Sequence, residues 1–303
     1  MKSSLNWWVQ GRVMDDNKLY NARLTSQREH RQGPTPGEAR AEDNFTRERP
    51  FAGAKRAEPN WIPVGVEDEG YPPTVYDPSV SLAFIGNPKP WSKEQLRERK
   101  IIYPGMADKS VMDAYRELRI QLRDRALNAS FTVLYSSLAL RDSTVTTAFN
   151  LAAAFALDAG TSALLVDCDP YARGLASLVS TPMAYGVTDY VADTSLPLGK
   201  ILYPSGVDRL SVIPAGTQAS SAVELFSSVR MKNLILELQN RYPDRCIILN
   251  APPFRDSTEA RILERFADQV VFGVPFGRVT EEEIVDSVES LGSDKFAGLV
   301  FQE

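Results

Sequence analysis

The chain has 303 residues, 43% hydrophobic and 24% charged, with a net charge of −5 at pH 7, which describes a soluble globular protein with room for one large domain or two small ones. The acidic balance argues against general nucleic-acid binding, no apolar run approaches the roughly 20 residues of a membrane span, and the N-terminus lacks the apolar core of a secretory signal. The lone histidine, His30, excludes a Ser-His-Asp triad or a His-dominated metal site, while Cys168 and Cys246 sit in or beside apolar runs and read as buried, reduced thiols.

Charge and proline divide the chain. Residues 1–100 carry 16 Lys/Arg and 14 Asp/Glu, the remainder 18 and 25, and 11 of the 20 prolines precede residue 105. Little apolar periodicity appears there, so 1–104 is expected to be a disordered or extended N-terminal region. Two readings stand for its aromatic spots, Trp7-Trp8-Val9, Trp61-Ile62 and Trp91: short docking elements, or incidental aromatics in an unstructured tail. Residues 105–303 are expected to form one α/β domain. Its elements in chain order are an amphipathic helix (110–127), a strand (131–136), an Ala/Leu-rich helix (146–157), a strand (162–167), a short helical stretch, a strand (210–214) and a long helix (222–239). Then come a strand (246–250), a helix (258–266), a strand (269–274), a helix (280–291) capped by Thr280, and a last strand (297–301). Short, almost wholly apolar strands between helices predict a doubly wound, mostly parallel sheet with helices on both faces. In such a sheet ligands bind at the carboxyl ends of the strands, where the loop 138–143, Asp167 and Asn250 gather.

The stretch LALRDSTVTTAFN (138–150) links the first strand to its helix, the place of a phosphate-cradling loop. Such a loop needs glycines so that backbone N–H groups can turn inward, a Lys for the phosphates and a hydroxyl for Mg²⁺. This one has no glycine and no Lys.

Several ordered segments resemble the cytoplasmic bacterial tyrosine kinases of capsule and exopolysaccharide synthesis, relatives of the MinD/ParA group of P-loop ATPases. VMDAYRELRIQL (111–122) is similar to the helix bearing Glu-x-x-Arg-x-x-Arg. ALLVDCDPYARG (163–174) is similar to the second acidic motif, LGKILYPSGVDRLSVIPAG (198–216) keeps the family's spacing, AVELFSSVRMKNLILEL (222–238) matches a family stretch, and IILNAPP (247–253) stands where the family has Ile-Ile-Asp-Thr-Pro-Pro. The resemblance covers about residues 110–301 and implies a P-loop NTPase-like fold. Aligned on Asn150-Leu151-Ala152, the family's Pro-Gly-Glu-Gly-Lys-Ser-Thr falls on Leu140, Arg141, Asp142, Ser143, Thr144, Val145 and Thr146. The phosphate-binding Lys is then Thr144 and the magnesium-binding Ser is Val145; a shift of one residue puts Asp142 at the Lys position. The third acidic motif's Asp is Asn250, an amide without charge or base function. Asp167 and Asp169 remain of the second motif, either as vestigial metal and water ligands or as caps on nearby N–H groups. Arg141 has two readings as well, a substitute phosphate ligand or a surface charge beside Asp142.

Losing the Lys and a metal ligand together removes on the order of several kcal/mol of transition-state stabilisation, so no catalytic residues and no cofactor are expected, with weak ATP or ADP and Mg²⁺ binding as the alternative. The family's C-terminal tyrosine cluster is also expected to be missing, since the last Tyr is at 242. Asp113, Arg116 and Arg119 nearly keep the ring-forming motif and are the expected homo-oligomer interface, the other reading being an ordinary solvated charged face. The resemblance thus implies a catalytically degenerate, cytoplasmic scaffold or regulator of exopolysaccharide synthesis and export. It would sit at the inner membrane through a co-polymerase or chain-length protein, with no nucleic-acid partner and no direct membrane insertion. The alternatives are an active ATP-dependent tyrosine kinase or ATPase with an unusual loop, and a MinD-like positioning protein, which lacks residues here for a C-terminal amphipathic helix.

Overall fold

The computed structural model describes residues 87–126, 130–139, 144–158, 160–241, 245–292 and 294–302. Trp7, Trp8, Val9, Trp61 and Ile62 lie outside the described residues, as does most of the region expected to be extended.

The described chain opens with α1 (Lys93–Glu98) and α2 (Lys109–Arg125), followed by β1 (Thr132–Ser137), α3 (Thr144–Ala156) and β2 (Ser162–Asp167). Two short helices, α4 (Leu175–Leu178) and α5 (Val187–Ala192), lead to β3 (Tyr203–Pro204) and β4 (Leu210–Ile213). Next come α6 (Ala222–Phe226), α7 (Val229–Arg241), β5 (Arg245–Ala251), α8 (Thr258–Leu263), β6 (Gln269–Pro275), α9 (Glu281–Leu291) and β7 (Phe296–Gln302). The strands form one sheet in the order β3-β4-β2-β5-β1-β6-β7, parallel except for the β3 and β4 pair. Every residue of β1, β2, β5 and β6 is buried, as strands covered on both faces must be. This is the predicted doubly wound sheet.

The register sets the future site. Tyr135 of β1 lies opposite Asn250 of β5, and Asn250 lies opposite Asp167 of β2, so the three central strands end at one level. Glycine is required one strand further out: a Cβ at Gly273 would sit 2.3 Å from the hydroxyl of Tyr135. The core joins α2, α3 and the sheet, with Phe149, Leu151 and Phe155 of α3 packed among Leu118, Leu122, Val133 and Ile248. Phe131 meets Phe155 edge to face at 5.8 Å between ring centroids.

Two expectations change. The helix predicted as continuous over 222–239 is two helices, broken at Ser227 and Ser228. Their hydroxyls donate to the carbonyls of Val223 (2.8 Å) and Leu225 (2.7 Å), and Ser228 Oγ accepts from the N–H of Met231 at 3.1 Å. Serine thus offers the backbone an alternative to the helical ladder. The extended region expected over 1–104 does not run to its predicted end: α1 is a capped helix, with Ser92 and Gln95 in a capping box. Trp91 anchors it, donating from Nε1 to the Leu178 carbonyl (2.9 Å) and from its backbone N–H to the Gly206 carbonyl (2.9 Å), with the Arg99 guanidinium 3.9 Å above its ring centre. Trp91 is thus packed within the described fold.

Candidate functional site

The carboxyl ends of β1, β2 and β5 collect the polar groups. Asp167, the last residue of β2, is 3% exposed. Its Oδ1 accepts from Asn250 Nδ2 at 2.8 Å and from the backbone N–H of Asp169 at 3.1 Å. Burial pushes its pKa up to about 7, against the pull of the Asn250 amide and with the charge of Asp169 adding to the rise. Asp169 is also buried, and burial raises its pKa; its Oδ1 accepts from the N–H groups of Tyr171 (3.1 Å) and Ala172 (3.3 Å). Both carboxylates therefore cap the β2–α4 turn, one of the two roles open to them in the sequence. Neither forms an ion pair among the described residues. The carboxylates flank Cys168, whose thiol burial holds far above its ordinary pKa.

Asn250 is 1% exposed. Its Nδ2 is spent on Asp167, and its Oδ1 is buried without a hydrogen-bond partner. Its backbone carbonyl accepts from the N–H of Cys168 at 2.8 Å, so the amide belongs both to the sheet and to the acidic turn. Beside it, Ser136 Oγ donates to the Pro252 carbonyl (2.6 Å) and the N–H of Phe254 to the Ser137 carbonyl (2.9 Å), tying the end of β1 to the turn after β5.

Helix α3 begins at Thr144, two residues ahead of the predicted start. Thr144 is 5% exposed, Val145 is 3% exposed and packs in the core, and Thr146 is partly exposed along an outer cleft. The isopropyl group at 145 thus points into hydrocarbon. Arg141, Asp142 and Ser143 lie outside the described residues. On α2, Asp113 and Arg116 are exposed and pair with each other at 3.1 Å, whereas Arg119 turns inward and donates from Nη1 to the Ala154 carbonyl at 2.9 Å. Arg119 is thereby occupied at the end of α3.

Three participants escaped the sequence reading. Glu259, 6% exposed in the first turn of α8, accepts from the hydroxyls of Tyr171 and of Ser257 (2.9 Å). The hydrogen bond to Glu259 drives the Tyr171 hydroxyl up to about 12 and fastens the β2–α4 turn to α8. Tyr171 lies two residues beyond Asp169, but its partner lies 88 residues away, a separation no local pattern bridges. Arg173 lines a cleft of roughly 270 Å³ with Asp167, Tyr185 and Pro214–Thr217.

No family model matches the chain. In sequence it is 27% identical over 162 residues to the tyrosine-protein kinase CpsD of Streptococcus agalactiae, a match spanning 52% of this chain and 69% of that kinase. In structure it matches the kinase domain of the Escherichia coli tyrosine kinase ETK with a TM-score of 0.59 at 21% identity, over 70% of this chain and 87% of that one. The BceF tyrosine kinase domain matches with a TM-score of 0.56 at 23% identity, over 70% and 90%. The chain is a homologue of the CpsD tyrosine-protein kinases, and its α/β domain has the fold of bacterial tyrosine kinase domains.

Proposed function

We propose that the protein is a catalytically degenerate tyrosine-kinase-like scaffold or regulator of exopolysaccharide synthesis and export, working through an inner-membrane co-polymerase or chain-length protein and as a homo-oligomer. The observation that carries this reading is the pairing of Asp167 with Asn250. The two residues are neighbours in the β2–β5 register, and the Asn250 amide donates to the Asp167 carboxylate at 2.8 Å. A carboxyl pushed up to about 7 is half protonated at neutral pH, a poor ligand for a divalent ion.

The side chains described at the strand ends support this reading. Val145 offers no oxygen, and Asn250 directs its donor nitrogen at the carboxylate. Among the described residues no group of three or more His, Cys, Asp or Glu side chains is placed to hold a metal. Phosphoryl transfer depends on positioning and charge neutralisation, so no catalytic step is assigned to these residues. Partner binding needs only a surface, and the exposed side of α2, with Asp113, Arg116 and Ile120, supplies one. Among the described residues no helix is long and apolar enough to cross a membrane.

Co-purification of the tagged chain with membrane proteins of polysaccharide assembly is the test. Specific recovery of a co-polymerase supports the scaffold, and failure to associate with any such component removes it. The survival of Asp167 and Asp169 side by side favours one rival, a residual ATP-dependent tyrosine kinase or ATPase, which requires magnesium-dependent turnover abolished by Asp167→Ala.

A further inference from the structure

The face of the sheet opposite α2 is covered by α7, α8 and α9. Neighbouring strand residues point to opposite faces, and Val133 packs into the core with α2 while Thr132 Oγ1 accepts from Gln239 of α7 at 2.9 Å. Arg261 of α8 donates to the hydroxyl of Ser290 on α9 at 2.9 Å, and the other side of α8 meets α7, so the three helices lie side by side with α8 in the middle. Between α7 and the end of α8 runs a groove of roughly 550 Å³. Its lip is the outer row of α7, where Val229 is 74% exposed and Leu236, two turns on, is exposed as well. Ile262 of α8 and Phe266 of the turn that follows it (Glu264–Phe266) line the other side. An apolar row beside a groove between helices is the shape that receives another amphipathic helix.

The charges of the groove say what that helix carries. Lys232, between the two apolar residues of the row, and Arg265 across the groove are both exposed, and neither side chain forms an ion pair among the described residues. Among the described residues the lining has one carboxylate, Asp268, which accepts from the backbone N–H of Thr132 at 2.8 Å. A helix that fits brings acids, and the chain itself has one. α9 reads EEEIVDSVESL and buries Ile284, Ser287 and Leu291, which turns Glu282 and Asp286, one turn apart, to its outer side with Val285 beside them. Glu283 is taken by Arg255 at 2.7 Å, whereas Glu282 and Asp286 form no ion pair among the described residues.

We propose that this face is an interface between two copies of the chain, with Glu282 and Asp286 of one copy against Lys232 and Arg265 of the other and Val285 on the apolar row of α7. A two-fold axis along α8 sets α9 of each copy over the α7 groove of the other, so the same contact is made twice. It is separate from the contact expected through Asp113 and Arg116, because α2 lies across the sheet, and it does not rest on the scaffold reading.

The test is analytical sedimentation of the full chain over a range of concentrations, with two charge-reversed forms, Lys232→Glu with Arg265→Glu and Glu282→Lys with Asp286→Lys. The wild type is expected to pass from monomer to dimer as concentration rises, and less readily at high salt. Each reversed form alone sets like charges against each other and should associate at least about tenfold more weakly. Mixed in equal amounts the two should recover the wild-type strength, since every reversed groove then meets a reversed α9. Melting curves establish that each form folds; should one fail, Val229→Glu carries the same prediction of weakened association. Every sample is repeated with Arg116→Glu, so that a contact through α2 is not read as this one. A chain that stays monomeric, association that both reversed forms keep, or a mixture that does not recover overturns the proposal. If the reversed groove keeps self-association but loses a co-purifying membrane protein, the groove belongs to that partner, and the proposal fails while the scaffold reading stands.

Discussion

At the scale of single residues, the Asp167 carboxyl and the Asn250 amide decide how the site behaves. A carboxyl whose pKa rises from 3.8 in the unfolded chain to about 7 when folded keeps its proton longer in the native state. The folded protein then binds more protons than the unfolded one across that window, so stability falls as pH rises from about 4 to 7. A shift of this size corresponds to on the order of 4 kcal/mol. Asp167→Asn, which cannot ionise, is expected to flatten that part of the pH–stability curve relative to wild type in chemical denaturation between pH 5 and pH 8. Parallel curves would show that the carboxyl is not protonated in the native state. Asn250→Asp places a second acid where the amide now donates; at pH 8 in chelator it should cost about 2 to 4 kcal/mol, with stability recovered by millimolar Mn²⁺ as three carboxylates share a cation. Val145→Ser buries a hydroxyl in hydrocarbon and is expected to cost about 1 to 3 kcal/mol without restoring turnover.

At the scale of elements, what was legible had a local cause. The alternation of apolar strands and helices was visible because strands buried on both faces must be hydrophobic throughout, and β1, β2, β5 and β6 are. Asp167 and Asn250 could be placed together because each sits in a strand that ends at the same level. The break at Ser227 and Ser228 was missed because apolar spacing continues through it while two hydroxyls capture the carbonyls. The Trp91 anchor and the Tyr171 to Glu259 tie join residues 87 and 88 positions apart, and the sequence around each carries no mark of its partner. Arg119 reads as one more charge on α2 until its guanidinium is found at the end of α3. The anchor is testable as an element: Trp91→Ala removes a ring, a hydrogen bond to Leu178 and a cation stacked on its face, and should cost about 2 to 4 kcal/mol. The loss should appear first as faster proteolysis between residues 87 and 104, with the sheet intact.

At the scale of the whole molecule, the fold of bacterial tyrosine kinase domains carries Asp167 and Asn250 at neighbouring strand ends, bonded to each other at 2.8 Å. Val145 serves the core, Asn250 serves Asp167, and Asp169 serves the turn that Tyr171 fastens to α8. The Asn250 Nδ2 and both carboxylates have structural partners that a nucleotide or metal would have to displace, which is what the scaffold reading expects. The most direct test of that central claim is a magnesium-ATP titration of the purified full chain by calorimetry, run alongside a radiolabelled phosphate-transfer assay. The account predicts no magnesium-dependent heat of binding and no transfer above the level of an Asp167→Ala control. Saturable magnesium-dependent binding with phosphate transfer that Asp167→Ala abolishes would contradict it.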